Sequence, residues 1–213
     1  MQEGMNVCMD SIIFDLDGTL WDSRDTVLIA WNEILKQDPE VHMEVTKEDF
    51  RKTMGLQVPE IGRILFPDVA EEKREKLLTD CCDLECEYLK KQGGSLYENV
   101  EEVLQSLSEK YKLFIVSNCQ EGYIESFYEY HKLGRFFQDF ENPGRTGLSK
   151  GENIRLIMER NRLSAPVYVG DTEGDQKAAA SAGIPFVFAG YGFGHVKQYD
   201  YKIDSINQLK ELF

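Results

Sequence analysis

The chain reads FDLDGTL at residues 14–20, at the end of the apolar run 11–14. A short run of β-branched and aromatic residues is typical of a buried strand. Asp15 and Asp17 follow this strand two residues apart, and Gly18 permits a tight turn. Two carboxylates this close repel each other, and a bound cation would remove that cost. An Asp-x-Asp-Gly turn is also ordinary loop structure, so the interpretation depends on the rest of the chain.

Short apolar runs of the same kind recur along the chain and alternate with helical patterns. Strands are predicted at 11–14, 113–116, 167–169 and 186–188, and more weakly at 137–140 and 201–203; helices are predicted at 98–110, 121–132, 150–162, 174–182 and 205–212. This alternation predicts an α/β fold with a Rossmann-like parallel sheet core flanked by helices. In such sheets, ligands bind beyond the carboxyl ends of the strands.

The alternation is interrupted once, by a segment with helical patterns and no convincing strand. Its clearest helix is predicted at 70–92, with an apolar stripe made of Leu77, Cys81, Leu84 and Tyr88. We therefore expect an inserted all-helical cap domain, 21–93, on a core domain made of 1–20 and 94–213. Gly93 and Gly94 would form a flexible joint of a movable lid, although a rigid layer of helices fits the same pattern.

Polar residues also follow the other predicted strands. Ser117 and Asn118 come after the run 113–116, where a hydroxyl and free backbone amides could hold phosphate oxygens. Asp171 and Asp175 belong to the sequence GDTEGD after the run 167–169, and carboxylates are hard ligands that suit Mg²⁺. Either pair could instead be a turn or a helix cap. All of these segments would nevertheless meet at one edge of the sheet.

Lys150 is a further candidate. Ser149 and Glu152 form an S-x-x-E capping box, which predicts that Lys150 lies in the first turn of a helix. The helix dipole opposes a cation there by about 0.3–1 kcal/mol. The side chain is either solvated at low cost, or it reaches over the sheet edge to neutralise an anion.

In this order and spacing, FDLDGTL, VSN at 116–118, Lys150 and GDTEGD resemble the haloacid dehalogenase superfamily of phosphohydrolases. The resemblance extends from about residue 11 to the end of the chain. The helical insertion is similar to the cap of the phosphoglycolate phosphatase and β-phosphoglucomutase branch. The sequence Trp21-Asp22-Ser23 after DGTL looks more like the phosphatases of that branch.

The resemblance implies a role for each matching position. It implies catalytic roles for Asp15, Asp17 and Lys150, phosphate binding by Ser117, Asn118 and Lys150, and Mg²⁺ binding by Asp15, Asp17, Asp171 and Asp175. Asp15 would be the nucleophile that forms an aspartyl-phosphate, and Asp17 the general acid/base. Asp17 would meet the metal through its backbone carbonyl, and Asp175 would lie close by. The expected reaction is hydrolysis of a small phosphorylated metabolite.

Alternative functions remain open at this point. A β-phosphoglucomutase-like sugar phosphomutase would share the nucleophile and the acid/base, and would differ in whether the cap excludes water. A non-catalytic binding module with the same fold is a third reading. Dehalogenation is disfavoured because a halide needs no proton to leave, so Asp17 would have no role. Phosphonate cleavage stays a minor alternative, since no cap lysine stands out.

Composition limits the partners. The formal net charge is -14, which would repel nucleic acid and anionic lipid, so we expect neither as a partner. The sequence lacks an apolar run long enough for a membrane span and a signal-like N-terminus, so we expect a cytoplasmic protein without a membrane anchor. Its five cysteines are expected to be reduced. A monomer is favoured over a dimer, although the apolar stripe could also serve a partner.

Several residues could contribute to substrate specificity or regulation. The cap candidates are Trp21, Arg24, His42, Arg51 and Arg63, which sequence alone cannot rank. The loop Tyr191 to Gly194 could border the site, because it follows the last clear strand. Cys119 adjoins Asn118, so its oxidation could inhibit the enzyme.

Overall fold

The computed structural model describes residues 9–41 and 43–213. Within them, the strands are β1 (Ser11–Phe14), β2 (Trp21–Asp22), β3 (Ser95–Leu96), β4 (Lys112–Val116), β5 (Phe137–Glu141), β6 (Pro166–Gly170), β7 (Phe186–Ala189) and β8 (Tyr201–Ile203). The α-helices are α1 (Arg24–Gln37), α2 (Lys47–Thr53), α3 (Val58–Leu65), α4 (Glu71–Gln92), α5 (Val100–Ser108), α6 (Tyr123–His131), α7 (Pro143–Thr146), α8 (Lys150–Asn161), α9 (Glu173–Ala182) and α10 (Leu209–Leu212). Short 3-10 helices lie at Leu133–Phe136 and Ile206–Gln208. The two weakly predicted strands are therefore present as β5 and β8.

The main sheet has the strand order β5-β4-β1-β6-β7-β8, and its neighbouring strands all pair in parallel. The central strand β1 lies between β4 and β6, with Phe14 opposite Ile115 on one side and Val169 on the other. The residues that follow these three strands consequently emerge at the same edge. The strand order reverses direction at β1, which is where doubly wound sheets bind ligands.

Alternate residues of β1 belong to different layers of the core. Ile12 and Phe14 pack in the larger cluster, together with α5 and α6. Ile13 packs on the opposite face, with Ile154 and Ile157 of α8. Since helices cover both faces, the whole strand is buried, which explains its continuous apolar sequence. The predicted α/β core is confirmed.

The helices α1 to α4 form an insertion between β2 and β3, and these two short strands pair antiparallel. Trp21 lies opposite Leu96, so the chain leaves and re-enters the core at one place. The hydroxyl of Thr26 in α1 donates to the backbone carbonyl of Gly93 at 2.6 Å, which ties the insertion to its return point. The expected helical insertion is thus present, whereas its division at residues 21–93 as an independent domain stays a prediction.

The long helix α4 buries a face that differs in part from the predicted stripe. Leu77 and Cys81 are buried as expected, but the face continues through Glu85 and Leu89. The buried set therefore includes one charged residue, because α4 packs against both α1 and α6 along its length. Among the residues described, none of the helices, α4 included, is both long and apolar enough to cross a bilayer.

The return joint is packed more closely than a flexible linker. Gly93 ends α4 with a φ of 67°, which favours glycine. A Cβ at this position would lie 2.2 Å from the ring of Tyr130. Glycine is therefore required here by conformation and by contact, whatever motion the insertion undergoes.

Candidate active site

Segments that are distant in sequence meet at the carboxyl edge of the sheet, as the strand pattern predicts. Asp15, Ser117 and Asp171 directly follow β1, β4 and β6. Lys150 begins α8, and Asp175 lies in the first turn of α9. All five residues are at most 5% exposed. The charges of the lysine and the three aspartates therefore interact away from bulk water, where electrostatic interactions are strong.

Lys150 connects two of the carboxylates. Its Nζ donates to Oδ1 of Asp15 at 2.8 Å and to Oδ1 of Asp175 at 2.5 Å. The capping box of Ser149 and Glu152 forms as predicted and begins α8. Burial alone would lower the pKa of Lys150, but the two carboxylates hold it well above its usual value. The lysine is a charged ammonium that reaches over the sheet edge, rather than a solvated side chain.

Asp175 uses both of its carboxylate oxygens within the protein. Oδ1 accepts from Lys150, while Oδ2 accepts from the Thr172 backbone N at 2.9 Å and from the Thr172 hydroxyl at 2.7 Å. Thr172 is the N-cap of α9, and Asp175 completes its capping box. Asp175 thus positions both the lysine and the start of α9.

Carboxylate oxygens of Asp15, Asp171 and Asp175 lie within 4.8 Å of one another. Oδ1 of Asp171 is buried and has no hydrogen-bond partner among the residues that the structure describes, whereas its Oδ2 accepts from the backbone N of Phe193 at 2.6 Å. Burial, together with the neighbouring carboxylates, raises the pKa of Asp171 well above its usual value. When all three carboxyl groups are ionised, they carry more negative charge than the ammonium of Lys150 offsets. These hard oxygen donors fit a divalent cation such as Mg²⁺, which would also give Oδ1 of Asp171 a partner.

The turn after β1 approaches this cluster so closely that only glycine fits. Gly18 has a φ of 79°, and a Cβ there would lie 2.2 Å from Oδ2 of Asp171. The loop Tyr191 to Gly194 packs beside it, since the Tyr191 hydroxyl donates to the Thr19 carbonyl at 2.9 Å. This loop borders the site, as its position after a strand predicts.

The carboxylate of Asp17 is directed toward a pair of hydroxyl groups. Its Oδ1 contacts the hydroxyls of Ser23 at 2.7 Å and Tyr123 at 2.9 Å, and these two hydroxyls lie 2.7 Å apart. Two hydroxyl protons can serve only two of these three contacts, and a proton on Asp17 completes the ring. Removal from water raises the pKa of Asp17 to about 6, against the effect of the two hydroxyl donors. The arrangement suits a carboxyl group that gives up and takes back a proton.

The residues after β4 have different roles in the structure. The cavity in front of Asp15 is lined by Ser117 and by Asn118. The Asn118 side chain donates from Nδ2 to the Gly55 carbonyl of the insertion at 2.8 Å, and so bridges the two parts of the fold. Burial raises the pKa of the Cys119 thiol well above its usual value. Because the thiolate is the reactive form, this environment argues against the expected sensitivity to oxidation.

A cavity of about 80 Å³ separates Asp15 and Asp17 from the helical insertion. One water needs roughly 10–15 Å³ measured in this way, so the space suits a small organic group. Apolar side chains dominate the wall on the insertion side: Val27, Trp31, Phe50, Met54, Leu56, Val58 and Ile61. The polar side chains at the wall include Arg24, Glu85 and Gln120.

Glu85 is a feature that the sequence analysis missed. It is 4% exposed, and its carboxylate accepts from the indole N–H of Trp31 and from the side-chain amide of Gln120. Burial raises the pKa of Glu85 to about 7, against these two hydrogen bonds. A signal was present in the sequence, because Glu85 lies four residues from both Cys81 and Leu89 and so shares their buried face.

Residues 12–189 match the model of the haloacid dehalogenase-like hydrolase family. The chain belongs to this family. The match spans most of the sequence and includes the four polar segments that meet at the sheet edge.

Curated relatives and solved structures agree with this assignment. Phosphoglycolate phosphatase from Vibrio parahaemolyticus is 26% identical in an alignment of 217 positions that covers 94% of each chain. Phosphoglycolate phosphatase from Rhodobacter capsulatus is 28% identical in an alignment of 189 positions that covers 86% of this chain and 85% of the relative. The haloacid dehalogenase-like hydrolase SP0104 from Streptococcus pneumoniae has a TM-score of 0.80 at 21% identity, covering 96% of this chain and 98% of its own. CbbY from Rhodobacter sphaeroides, solved with xylulose-(1,5)bisphosphate, has a TM-score of 0.80 at 16% identity, covering 94% and 96%.

These comparisons confirm the predicted family resemblance, the fold class and the assignment of the chain as a phosphatase. At these identities the solved structures show the fold alone.

The cap residues considered for specificity lie in different places. Trp21 is fully buried among aromatic side chains and serves packing, whereas Arg24 lines the cavity. Arg51 is exposed and forms a surface ion pair. Arg63 lines a separate cavity between the insertion and the core. His42 lies outside the described residues.

Proposed function

We propose that this phosphatase hydrolyses a small phosphorylated metabolite in a Mg²⁺-dependent reaction, through an aspartyl-phosphate on Asp15. The observation that carries the proposal is the buried Asp15 carboxylate, held by Lys150 at 2.8 Å and facing a small cavity. The curated relatives named phosphoglycolate phosphatase support the reaction class.

In the first step, a carboxylate oxygen of Asp15 attacks the phosphorus atom of the ester. Oδ1 of Asp15 is engaged by Lys150, and its Oδ2 has no hydrogen-bond donor among the residues described, so Oδ2 is the proposed nucleophile. The new Asp15–phosphorus linkage forms as the bond to the leaving oxygen breaks. Asp17 gives its proton to that oxygen, and the alcohol departs.

In the second step, Asp17 acts as the base. Its carboxylate takes a proton from a water molecule, whose oxygen attacks the phosphorus atom. The bond to Asp15 breaks, inorganic phosphate leaves, and both aspartates return to their starting states. The hydroxyls of Ser23 and Tyr123 hold Asp17 in position through both proton transfers.

The residues proposed to hold Mg²⁺ are Asp15, Asp171 and the backbone carbonyl of Asp17. When bound, it supplies positive charge that reduces the repulsion between an anionic nucleophile and an anionic phosphate. Ser117 and the backbone amide of Asn118 are proposed to bind the phosphoryl oxygens. Lys150 neutralises part of the developing charge and keeps Asp15 oriented.

Asp15→Asn tests the nucleophile. Phosphate release from para-nitrophenyl phosphate with Mg²⁺ should fall at least about a thousandfold, because the amide cannot form the acyl phosphate. Asp68→Asn, at an exposed position, serves as the matched control and should retain activity. Chelation of the metal should abolish activity and added Mg²⁺ should restore it. Full activity of Asp15→Asn, or in the presence of chelator, would refute the proposal.

Detection of the covalent species provides a second test. Acid quenching of the wild-type protein during turnover should trap a phosphorylated peptide that contains Asp15. Isomerisation of a hexose 1-phosphate without net phosphate release would instead establish the mutase alternative.

We also propose that the protein is cytoplasmic and monomeric.

A further inference from the structure

The cavity wall around Glu85 has a chemistry that bears on the alcohol part of the substrate. We call the portion lined by Val27, Trp31, Phe50, Glu85 and Gln120 the leaving-group chamber. A substrate phosphoryl group placed at Asp15 would direct its alcohol part into this chamber. The side chains of this chamber would therefore contact the leaving group rather than the phosphate.

The chamber offers little to a second anionic group. Of the lysines and arginines that the structure describes, only Arg24 lines this cavity. Its Nε and Nη2 donate to the two carboxylate oxygens of Asp22 at 2.9 Å and 2.7 Å, and its guanidinium lies 4.1 Å from the Phe193 ring centroid. Arg24 is thus already neutralised by a bidentate partner and stacked, which leaves it poorly placed to bind a carboxylate or a second phosphate.

The buried charged side chain on the chamber wall is acidic. Glu85 is 4% exposed and accepts one hydrogen bond on each oxygen, from Trp31 and from Gln120. Neither donor is charged, and Glu85 forms no ion pair with the lysines or arginines within 9–41 and 43–213. A buried carboxylate without a counter-ion is costly, and each oxygen retains a second acceptor site. A ligand that brings a positive charge or a hydrogen-bond donor would remove that cost.

We propose that the preferred substrate is the phosphomonoester of a compact amino alcohol, whose ammonium group binds Glu85, and that esters bearing a carboxylate or a second phosphate are disfavoured. The inference rests on the proposed function, because it assumes that the phosphoryl group lies at Asp15. Under this inference the preferred substrate of this chain differs from phosphoglycolate, because phosphoglycolate carries a carboxylate at the position that would face Glu85.

Three two-carbon monoesters test the proposal because they differ only in the terminal group. These are phosphoethanolamine with an ammonium, 2-hydroxyethyl phosphate with a hydroxyl, and 2-phosphoglycolate with a carboxylate. For the wild-type protein at about pH 8, kcat/KM should decrease in that order. The ammonium ester should exceed the carboxylate ester at least about tenfold, because the latter places like charges together in a desolvated site.

Glu85→Gln tests the residue itself. This variant keeps the shape of the side chain but removes the charge, so it should reduce the ratio of kcat/KM for phosphoethanolamine over 2-phosphoglycolate at least about tenfold. Glu85→Asp keeps the charge and should keep the preference for the ammonium ester. Glu87→Gln, an exposed position on the same helix, is the matched control and should leave the ratio unchanged.

The outcomes separate this inference from the proposed function. If the wild type favours 2-phosphoglycolate, or if Glu85→Gln leaves the ratio unchanged, the substrate inference fails while Asp15-dependent hydrolysis of para-nitrophenyl phosphate still supports the phosphatase mechanism. Loss of all Asp15-dependent hydrolysis would refute both. A second cavity, lined by Arg63 and Arg74, adjoins the first at Gln120. Preference for a long bisphosphate that reaches those arginines would likewise overturn the inference.

Discussion

Replacement of Glu85 by glutamine should change how the free energy of unfolding depends on pH. The carboxyl has a pKa of about 7 in the folded chain, against an ordinary value of 4.5. Between these two values the folded protein retains a proton that the unfolded chain has lost. The wild type therefore loses stability as pH rises through this window, and the loss is complete above about pH 7.

The magnitude follows from the two pKa values. The interval from 4.5 to about 7 corresponds to about 3 kcal/mol, because each pH unit contributes about 1.4 kcal/mol. Burial raises the pKa of Glu85, and the negative charge of Asp17 raises it further. Cys82 and Tyr123 also lie near Glu85, but burial raises the pKa of each well above its usual value, so both stay protonated across the window. Asp17, whose pKa is about 6, titrates in the same window but is present in both proteins. Glutamine does not titrate, so the difference between Glu85→Gln and the wild type reports the Glu85 carboxyl together with its interaction with Asp17.

Urea denaturation at a series of pH values measures the effect. The stability of Glu85→Gln minus that of the wild type should rise by about 2–3 kcal/mol between about pH 5 and pH 8. The matched control Glu87→Gln should show no such trend, because this position is exposed and its partner is a surface lysine. A difference between Glu85→Gln and the wild type that stays constant across this range would refute the reasoning.

Two further substitutions test the site. Gly18→Ala would place a methyl group 2.2 Å from Oδ2 of Asp171 at a φ of 79°, and Mg²⁺-dependent phosphate release should fall at least about tenfold. Gly183→Ala is the control, because this glycine has a φ of 76° but no described atom lies within 4 Å of the added Cβ, so the variant should retain activity. Equal activity of both variants would contradict the steric account. Lys150→Met removes the cation that binds Asp15. Urea denaturation near neutral pH should show a free energy of unfolding that is lower by about 3–5 kcal/mol, because buried carboxylates lose their partner. Wild-type stability of this variant would show that groups other than Lys150 offset the charge of the carboxylates.

The positions of the candidate catalytic residues were largely predictable. The apolar runs place β1, β4 and β6, and the ends of parallel strands coincide by geometry. Asp15, Ser117 and Asp171 therefore had to approach one another once the strands were assigned. The capping box at Ser149 likewise placed Lys150 at the start of α8, since a cap depends on residues three apart.

The partners of these residues were not predictable in the same way. Tyr123 contacts Asp17 across 106 positions of the chain, and Trp31 donates to Glu85 across 54. Such contacts depend on how α4 and α6 pack, and no local pattern encodes that geometry. The position of Arg24 was not predictable either, because only the structure shows that its guanidinium lies on the cavity wall and donates to Asp22.

The sequence by itself determined the α/β fold, the hydrolase family and the carboxylates that gather around Asp15, because these depend on local periodicity and on the shared edge of parallel strands. Only the tertiary structure decided which side chains complete the site. The packing of the helical insertion against the sheet buries Glu85 on the wall of the cavity that Asp15 also lines, and directs Asp17 toward Tyr123. Burial and contact between distant segments set these charges and protons, and they exist only once the chain has folded.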